Sequence, residues 1–420
     1  MQFVAAKMAP PFSLVSKFFL ASVLAWVACW VIALAQWESI QGHYFQPLLL
    51  GLVHIATLGW ITMIIFGAMY QLVPVILEVP LWSVRLGAWH FWIYSFSVIG
   101  LIVGFFRYTV GSHLDITAAL VSLASYLFIF NIARTMLSVK HWNLTGYFLL
   151  AALSYFFLTV SMGLLLAINL GHPFISKPHI EYLKIHAHLG LVGWVSMVIM
   201  GVALKLLPMF AIAHDFPQKP AWFSFWLVNF GLLGAMVEKT FGETKILYPF
   251  YGLLLAAGLI LYIVQIILIL KIRLRKALDV AMKHAIVSFA FLFIAAVLGI
   301  VALFLPSTSP HAASLALAYG FVAIVGFISS LIVGEMYKVV PFLVWYHKYS
   351  SSAGIDRVPM LSEMINGRIA SIEFYLFTIG VTLAPIAFIV QLPQLLFVGI
   401  ASLTLSAFLF AYNILVSFRR

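Results

Sequence analysis

Uninterrupted apolar runs constrain this chain more than any other feature. Phe18–Ala35 and Ile246–Leu270 carry no charged side chain over 18 and 25 residues. A helix needs about 20 such residues to cross the hydrocarbon of a bilayer. The runs lack the alternation of an outer-membrane barrel strand, so they read as helices. A helix also bonds its own amides and carbonyls where no water can. The whole 420-residue chain agrees, at 64% hydrophobic, 8% charged and a mean hydropathy of +1.12. Soluble chains hold about 25% charged residues, so this one could not cover its surface in water. A soluble enzyme, a secreted disulfide scaffold and a nucleic-acid-binding domain are thereby excluded. The single cysteine, Cys29, lies inside the first run, which rules out an internal disulfide and a Cys-rich zinc or iron–sulfur site. Lys7 precedes that run, which is long enough to span and lacks a convincing small-residue cleavage site. It is therefore expected as the first span and not as a cleaved signal.

Hydropathy predicts twelve transmembrane helices, near 15–36, 46–73, 88–107, 114–137, 145–170, 182–210, 221–238, 246–271, 284–305, 311–341, 369–390 and 394–417. The expected fold is all-α and integral to the membrane, a single polytopic domain over 1–420. Its connections are short except 342–368, which holds Tyr349-Ser350-Ser351-Ser352-Ala353-Gly354 and several charges. Lys and Arg test the count. Of the 23, 17 fall at the two termini and in the even-numbered loops. Five (Arg107, Lys177, Lys184, Lys239 and Lys245) fall on the opposite side, and Lys205 completes the set. That bias places both termini in the cytoplasm. It also gives the net charge of +11 a membrane role, orientation and attraction to anionic lipid.

Three segments repeat one pattern, HIATLGWITMIIFGAMYQLVP from His54, HLGLVGWVSMVIMGVALKLLP from His188 and FVAIVGFISSLIVGEMYKVVP from Phe321. Counted from those residues, Gly recurs at +5 (Gly59, Gly193, Gly326) and an aromatic at +6 (Trp60, Trp194, Phe327). Gly returns at +13 (Gly67, Gly201, Gly334) and Pro at +20 (Pro74, Pro208, Pro341). The segments are the second, sixth and tenth helices, one in each block of four. The expected architecture is three blocks with pseudo-threefold symmetry, near 15–140, 145–275 and 284–417. Such parallel repeats differ from the inverted repeats of many secondary transporters.

Thirteen histidines are the most promising ligands. His43, His113, His172, His179 and His311 fall in or beside outer loops; His90, His141, His214, His284 and His347 fall on or near the cytoplasmic face. These ten read as mostly interfacial and structural, with support of a cofactor's polar edge as the alternative. His54, His186 and His188 lie deeper, His54 roughly 10 Å past Pro47 and the other two roughly 6–9 Å past Tyr182. An imidazole at that depth needs a partner or a ligand. His186 and His188 diverge by roughly 200° around their helix, too far to grip one small ion. Opposed histidines suit large flat cofactors, and the equivalent positions of His54 and His188 suit a haem held between two imidazoles. The competing reading is that all three bond to nearby backbone or hydroxyl groups.

With twelve helices, blocks of four and outer-half histidines on the second and sixth helices, the chain resembles the haem–copper oxidase subunit I superfamily, which includes cytochrome oxidases and nitric oxide reductases. The resemblance spans nearly the whole chain as architecture, with motif support confined to the repeated segments. It implies His54, His186 and His188 as ligands to haem iron, with one or two b-type haems, since no Cys-x-x-Cys-His attachment motif exists. His54 carries over at its family position; His186 and His188 carry over as a pattern displaced by one repeat. Copper is not supported, because the tenth helix has Tyr319 and Phe321 at the corresponding places and the seventh has no histidine. The Gln391-Leu392-Pro393-Gln394 loop also lacks the family's Arg pair.

The expected function is electron transfer, or the binding or reduction of a small gas (O2 or NO), in a bacterial or archaeal cytoplasmic membrane. If the chain is an enzyme, it is an oxidoreductase of that type. The expected partners are lipid, haem and a cytochrome c or quinol donor, with no nucleic acid. Two alternatives stay open, a haem- and copper-containing nitric-oxide-tolerance protein and a transporter using intramembrane histidines. Of the remaining charges, Glu335 reads as a proton relay or a partner of Lys338. Glu373 reads as a first-turn carboxylate suited to its helix dipole. Met63 and Met197 share +9 and read as packing.

Overall fold

The computed structural model describes residues 8–242, 247–306, 308–353 and 355–420. Lys7, Lys245, Ile246 and Gly354, which entered the analysis above, lie outside them. Among the described residues twelve helices are long and apolar enough to span a membrane, and this is an integral membrane protein. They are α1 Phe12–Ala35, α2 Pro47–Leu77, α3 Val84–Arg107, α4 Ser112–Met136, α5 Leu144–Gly171 and α6 His179–Ala211. The second six are α7 Lys219–Phe241, α8 Leu247–Lys271, α9 Val280–Phe304, α10 Ala312–Tyr349, α11 Gly367–Val390 and α12 Pro393–Arg419.

The tenth helix is longer than expected. It runs through Pro341 to Tyr349, because Leu343 and Val344 bury their side chains and Trp345 Nε1 donates to the Pro359 carbonyl at 2.6 Å. Pro74 and Pro208 also lie inside their helices, which close three residues later. Glu78 (φ 55°) and Ile212 (φ 52°) then turn left-handed, and their amides bond the Pro74 and Pro208 carbonyls. A β-branched residue such as Ile212 adopts that conformation only when its surroundings impose it.

The chain divides into two compact units. One comprises Met1–Phe19, Thr62–Lys276 and Gly299–Phe304; the other comprises Leu20–Ile61, Ala277–Leu298 and Leu305–Arg420. The first unit packs around aromatic rings. Phe66 meets Phe128 at 4.2 Å, and Trp194 stacks on Phe156 at 4.3 Å. In the second, Trp26 stacks on Trp60 at 4.9 Å, and Phe410 meets Trp60 edge-on at 5.8 Å.

Inside each unit the repeated segments share details that no hydropathy pattern reveals. Each becomes a π-helix of eight residues starting one past the counting origin, at Ile55–Thr62, Leu189–Ser196 and Val322–Ser329. Ser196 and Ser329, both at +8, donate to carbonyls five residues back, at 2.7 and 2.8 Å. Trp194 Nε1 donates to Thr62 Oγ1 at 3.4 Å and Trp60 Nε1 to Ser329 Oγ at 3.1 Å. Both bonds run from +6 of one repeat to +8 of another.

The glycine columns have one cause. A Cβ on Gly59, Gly193 or Gly326 would come within 3.0, 2.6 or 2.8 Å of Ala25, Tyr155 or Phe291. One on Gly67, Gly201 or Gly334 would come within 3.0, 2.8 or 2.7 Å of Cβ of Phe18, Phe148 or His284. Glycine lets α1 lie against α2, α5 against α6 and α9 against α10. Similarly, α4, α8 and α12 hold the starts of α3, α7 and α11. Asn131 bonds both the amide and the carbonyl of Ser83, and Asn413 does the same to Asn366. Gln265 accepts from the Ala221 amide.

Candidate functional site

His54 is the last α-helical residue before the first π segment, and His188 the last before the second. Each donates Nδ1–H to the carbonyl four residues back, His54 to Leu50 at 2.7 Å and His188 to Lys184 at 2.8 Å. Equivalent positions thus carry the same ring, held by the same bond. A neutral imidazole with its proton on Nδ1 has its lone pair on Nε2, the nitrogen that can ligate a metal. A carbonyl behind Nδ1 is also the usual outer support of a ligating histidine.

His186 differs. Its Nδ1 donates to the Thr159 carbonyl of α5 at 3.0 Å, and a Cβ on Gly163 would come 2.9 Å from its ring. It is turned onto α5, whereas His188 is tied to its own helix, in keeping with their spacing. His54 belongs to the second unit, His186 and His188 to the first.

In His179–His188 only Ile185 is buried, and in Ala312–Phe321 only Ala318. Eleven residues are buried in Met197–Ala211 and eleven in Ser330–Tyr349. The first turns of α6 and α10 are thus less buried than the rest of their helices. Among the described residues no three His, Cys, Asp or Glu side chains gather into a small-ion site.

Two residues read as interfacial are buried. His90 is fully buried, with Nδ1 3.1 Å from the Tyr70 hydroxyl and its ring stacked on Phe18. His284 is fully buried, with Nε2 3.1 Å from Glu373 Oε2. Glu373 itself lies beyond the first turn of α11, six residues past Gly367, so it answers to His284 and not to the helix dipole. Both corrections have one origin. Both histidine side chains lie in the second turn of their helices and are buried there, which distance from a loop does not reveal. A sequence signal did exist, since Glu373 is a carboxylate within an apolar span and needs a partner. Of the two readings of Glu335, the Lys338 partnership is electrostatic and shared: Lys338 pairs with Asp279 at 3.2 Å, and Glu335 Oε2 is buried without a hydrogen bond. Among the remaining loop histidines, His113 Nε2 bonds the Gly100 carbonyl at 3.1 Å and His172 Nε2 lies 3.5 Å from Asp115 Oδ2. No protein-family model matches the chain, and no curated protein matches it.

Proposed function

We propose that the chain is a haem-binding redox protein of the membrane, similar in plan to haem–copper oxidase subunit I. The observation that carries this reading is the identical Nδ1 anchoring of His54 and His188 at one repeat position, each on the threshold of a π segment. π segments re-aim a helix face and are frequent at functional sites. In this reading His54 and His188 each hold the iron of a b-type haem through Nε2. His186, facing the other way, serves the edge of the site or a second haem. Bound haem supplies a one-electron couple and an iron that can bind O2 or NO.

The protein's own part is to fix the imidazole rings, raise their basicity through the Leu50 and Lys184 carbonyls, and exclude water with apolar outer turns. The 17-to-5 distribution of Lys and Arg supports cytoplasmic termini, which puts the histidines in the outer half. A cytochrome c or quinol is the electron donor that suits this placement. Copper forms no part of the proposal. A second reading, a proton-coupled transporter, is favoured by the buried His284–Glu373 pair.

A reduced-minus-oxidised spectrum of protein purified from haem-replete cells separates the two. The haem reading predicts a b-type α-band on reduction. A colourless preparation contradicts it and leaves the transporter.

A further inference from the structure

The close contacts at the +13 glycines put Phe18, Phe148 and His284 in one structural position, the first-helix residue against Gly67, Gly201 and Gly334. The contacts at +5 confirm the register. Ala25, Tyr155 and Phe291 each follow seven residues later. A third-helix residue completes each pair. His90 stacks on Phe18 at 5.4 Å, Phe225 meets Phe148 edge-on at 5.1 Å, and Glu373 bonds His284 at 3.1 Å. His90 and Glu373 each lie seven residues past the helix cap gripped by Asn131 or Asn413. The first block therefore places phenylalanine and histidine here, the second two phenylalanines, and the third histidine and glutamate.

Every helix of the third block contributes to this polar centre. Ser406 of α12 donates to Glu373 Oε1 at 2.8 Å. Ser330 of α10 donates to the His284 carbonyl at 3.1 Å and lies 3.4 Å from His284 Nδ1. Tyr337 of α10 turns its hydroxyl toward Glu373 and Asn413 without a well-aligned bond to either. It is the other titratable group facing the pair. Lys283, next in the chain, lies over the Phe374 ring, and Lys338 is engaged with Asp279. His284 and Glu373 are completely buried.

Ser330 Oγ, 3.1 Å from the His284 carbonyl, can donate there and accept from Nδ1–H, while Glu373 can accept from Ser406 on one oxygen and from Nε2–H on the other. The donor and acceptor geometry accommodates an imidazolium against a carboxylate. Packing does not demand such a pair, since Phe148 and Phe225 fill the same place in the second block. A buried ion pair is seldom more stable than a well-packed apolar pair of similar size. An ionisable residue kept inside a membrane points to a role beyond stability.

We propose that His284 and Glu373 form an intramembrane proton-binding site, holding one proton between imidazole and carboxylate and exchanging it with water. Exchange is through the end of the block where α9 and α11 begin. His284 lies four residues past Val280 and Glu373 six past Gly367, each less than about 10 Å inside. Asp279, Lys338 and Lys283 stand at that end. The loaded state is imidazolium with carboxylate. Releasing one proton to water leaves imidazole with carboxylate, and rebinding restores the pair. The site does not depend on haem.

Infrared spectroscopy of the protein in lipid, transferred from H2O to D2O, tests it. In wild-type-minus-variant difference spectra, a carboxylate band is expected to be lost in Glu373→Gln and imidazolium ring bands in His284→Phe, against the constant background of the other carboxylates and histidines. In His284→Phe, Glu373 loses its counter-charge and a carboxylic C=O band is expected to appear. In the wild type, the imidazolium bands should shift in D2O while the amides of the spans stay protected. The double variant His284→Phe/Glu373→Phe, built like the second block, should fold and lose both difference bands without gaining a carboxylic C=O band. It keeps the assignment testable if a single variant misfolds. A wild-type carboxylic C=O band that Glu373→Gln removes, or exchange only together with the span amides, would overturn the proposal.

Discussion

Two helix contacts closed by equivalent glycines hold opposite chemistry. Phe148 of α5 and Phe225 of α7 meet as rings beside Gly201, whereas His284 of α9 and Glu373 of α11 meet as a hydrogen-bonded polar pair beside Gly334. The difference teaches that the scaffold is set by glycine and amide contacts shared among blocks, whereas the chemistry is set by a few substitutions within it. His90 of α3 stands between them: it bonds Tyr70, the counterpart of Tyr337, and packs against the Phe66 and Phe128 rings.

The largest expected effect comes from splitting the ion pair. His284→Phe alone should cost about 3–5 kcal/mol, since it leaves a buried carboxylate without its cation. Adding Glu373→Phe should recover most of that loss, and thermal unfolding of both variants in detergent measures the coupling. Additive losses would show that the two residues act separately.

Next in size is overpacking at the shared glycines. Gly334→Ala would press a Cβ against the Ala281 carbonyl at 2.8 Å and should cost about 1–3 kcal/mol. Gly320→Ala meets nothing within 4 Å and should leave the unfolding temperature unchanged. Smaller still, Asn413→Leu removes two bonds to the start of α11, worth about 1 kcal/mol each. Gln265→Leu removes one such bond to α7 and should cost half as much. Equal losses would mean that the two clamps are not counterparts.

The sequence announces these features unevenly. Twelve spans were legible because each is a long apolar run, and the repeat because Gly and Pro tolerate few replacements at close contacts. The tenth helix was cut short because Pro341 reads as a stop, while the burial of Leu343 and Val344 sustains the helix beyond it. The repeat among first helices was hidden. Phe18 to Phe148 is 130 residues and Phe148 to His284 is 136, so unequal loops conceal a register that the side chains obey. The π segments have no compositional mark. Of the candidate site, the depth and equivalence of His54 and His188 were readable, but their shared Nδ1 bonds were not. The partnership of His284 with Glu373 joins residues 89 apart and needed the fold.

The most direct test of the haem account is the haem content and low-spin signal of three variants purified alike. The account predicts that His54→Ala and His188→Ala each lose haem or its low-spin signal, because each removes an iron-facing Nε2. His186→Ala should retain that signal, since this ring is committed to α5. Haem loss confined to His186→Ala, with both equivalent histidines dispensable, would contradict the account.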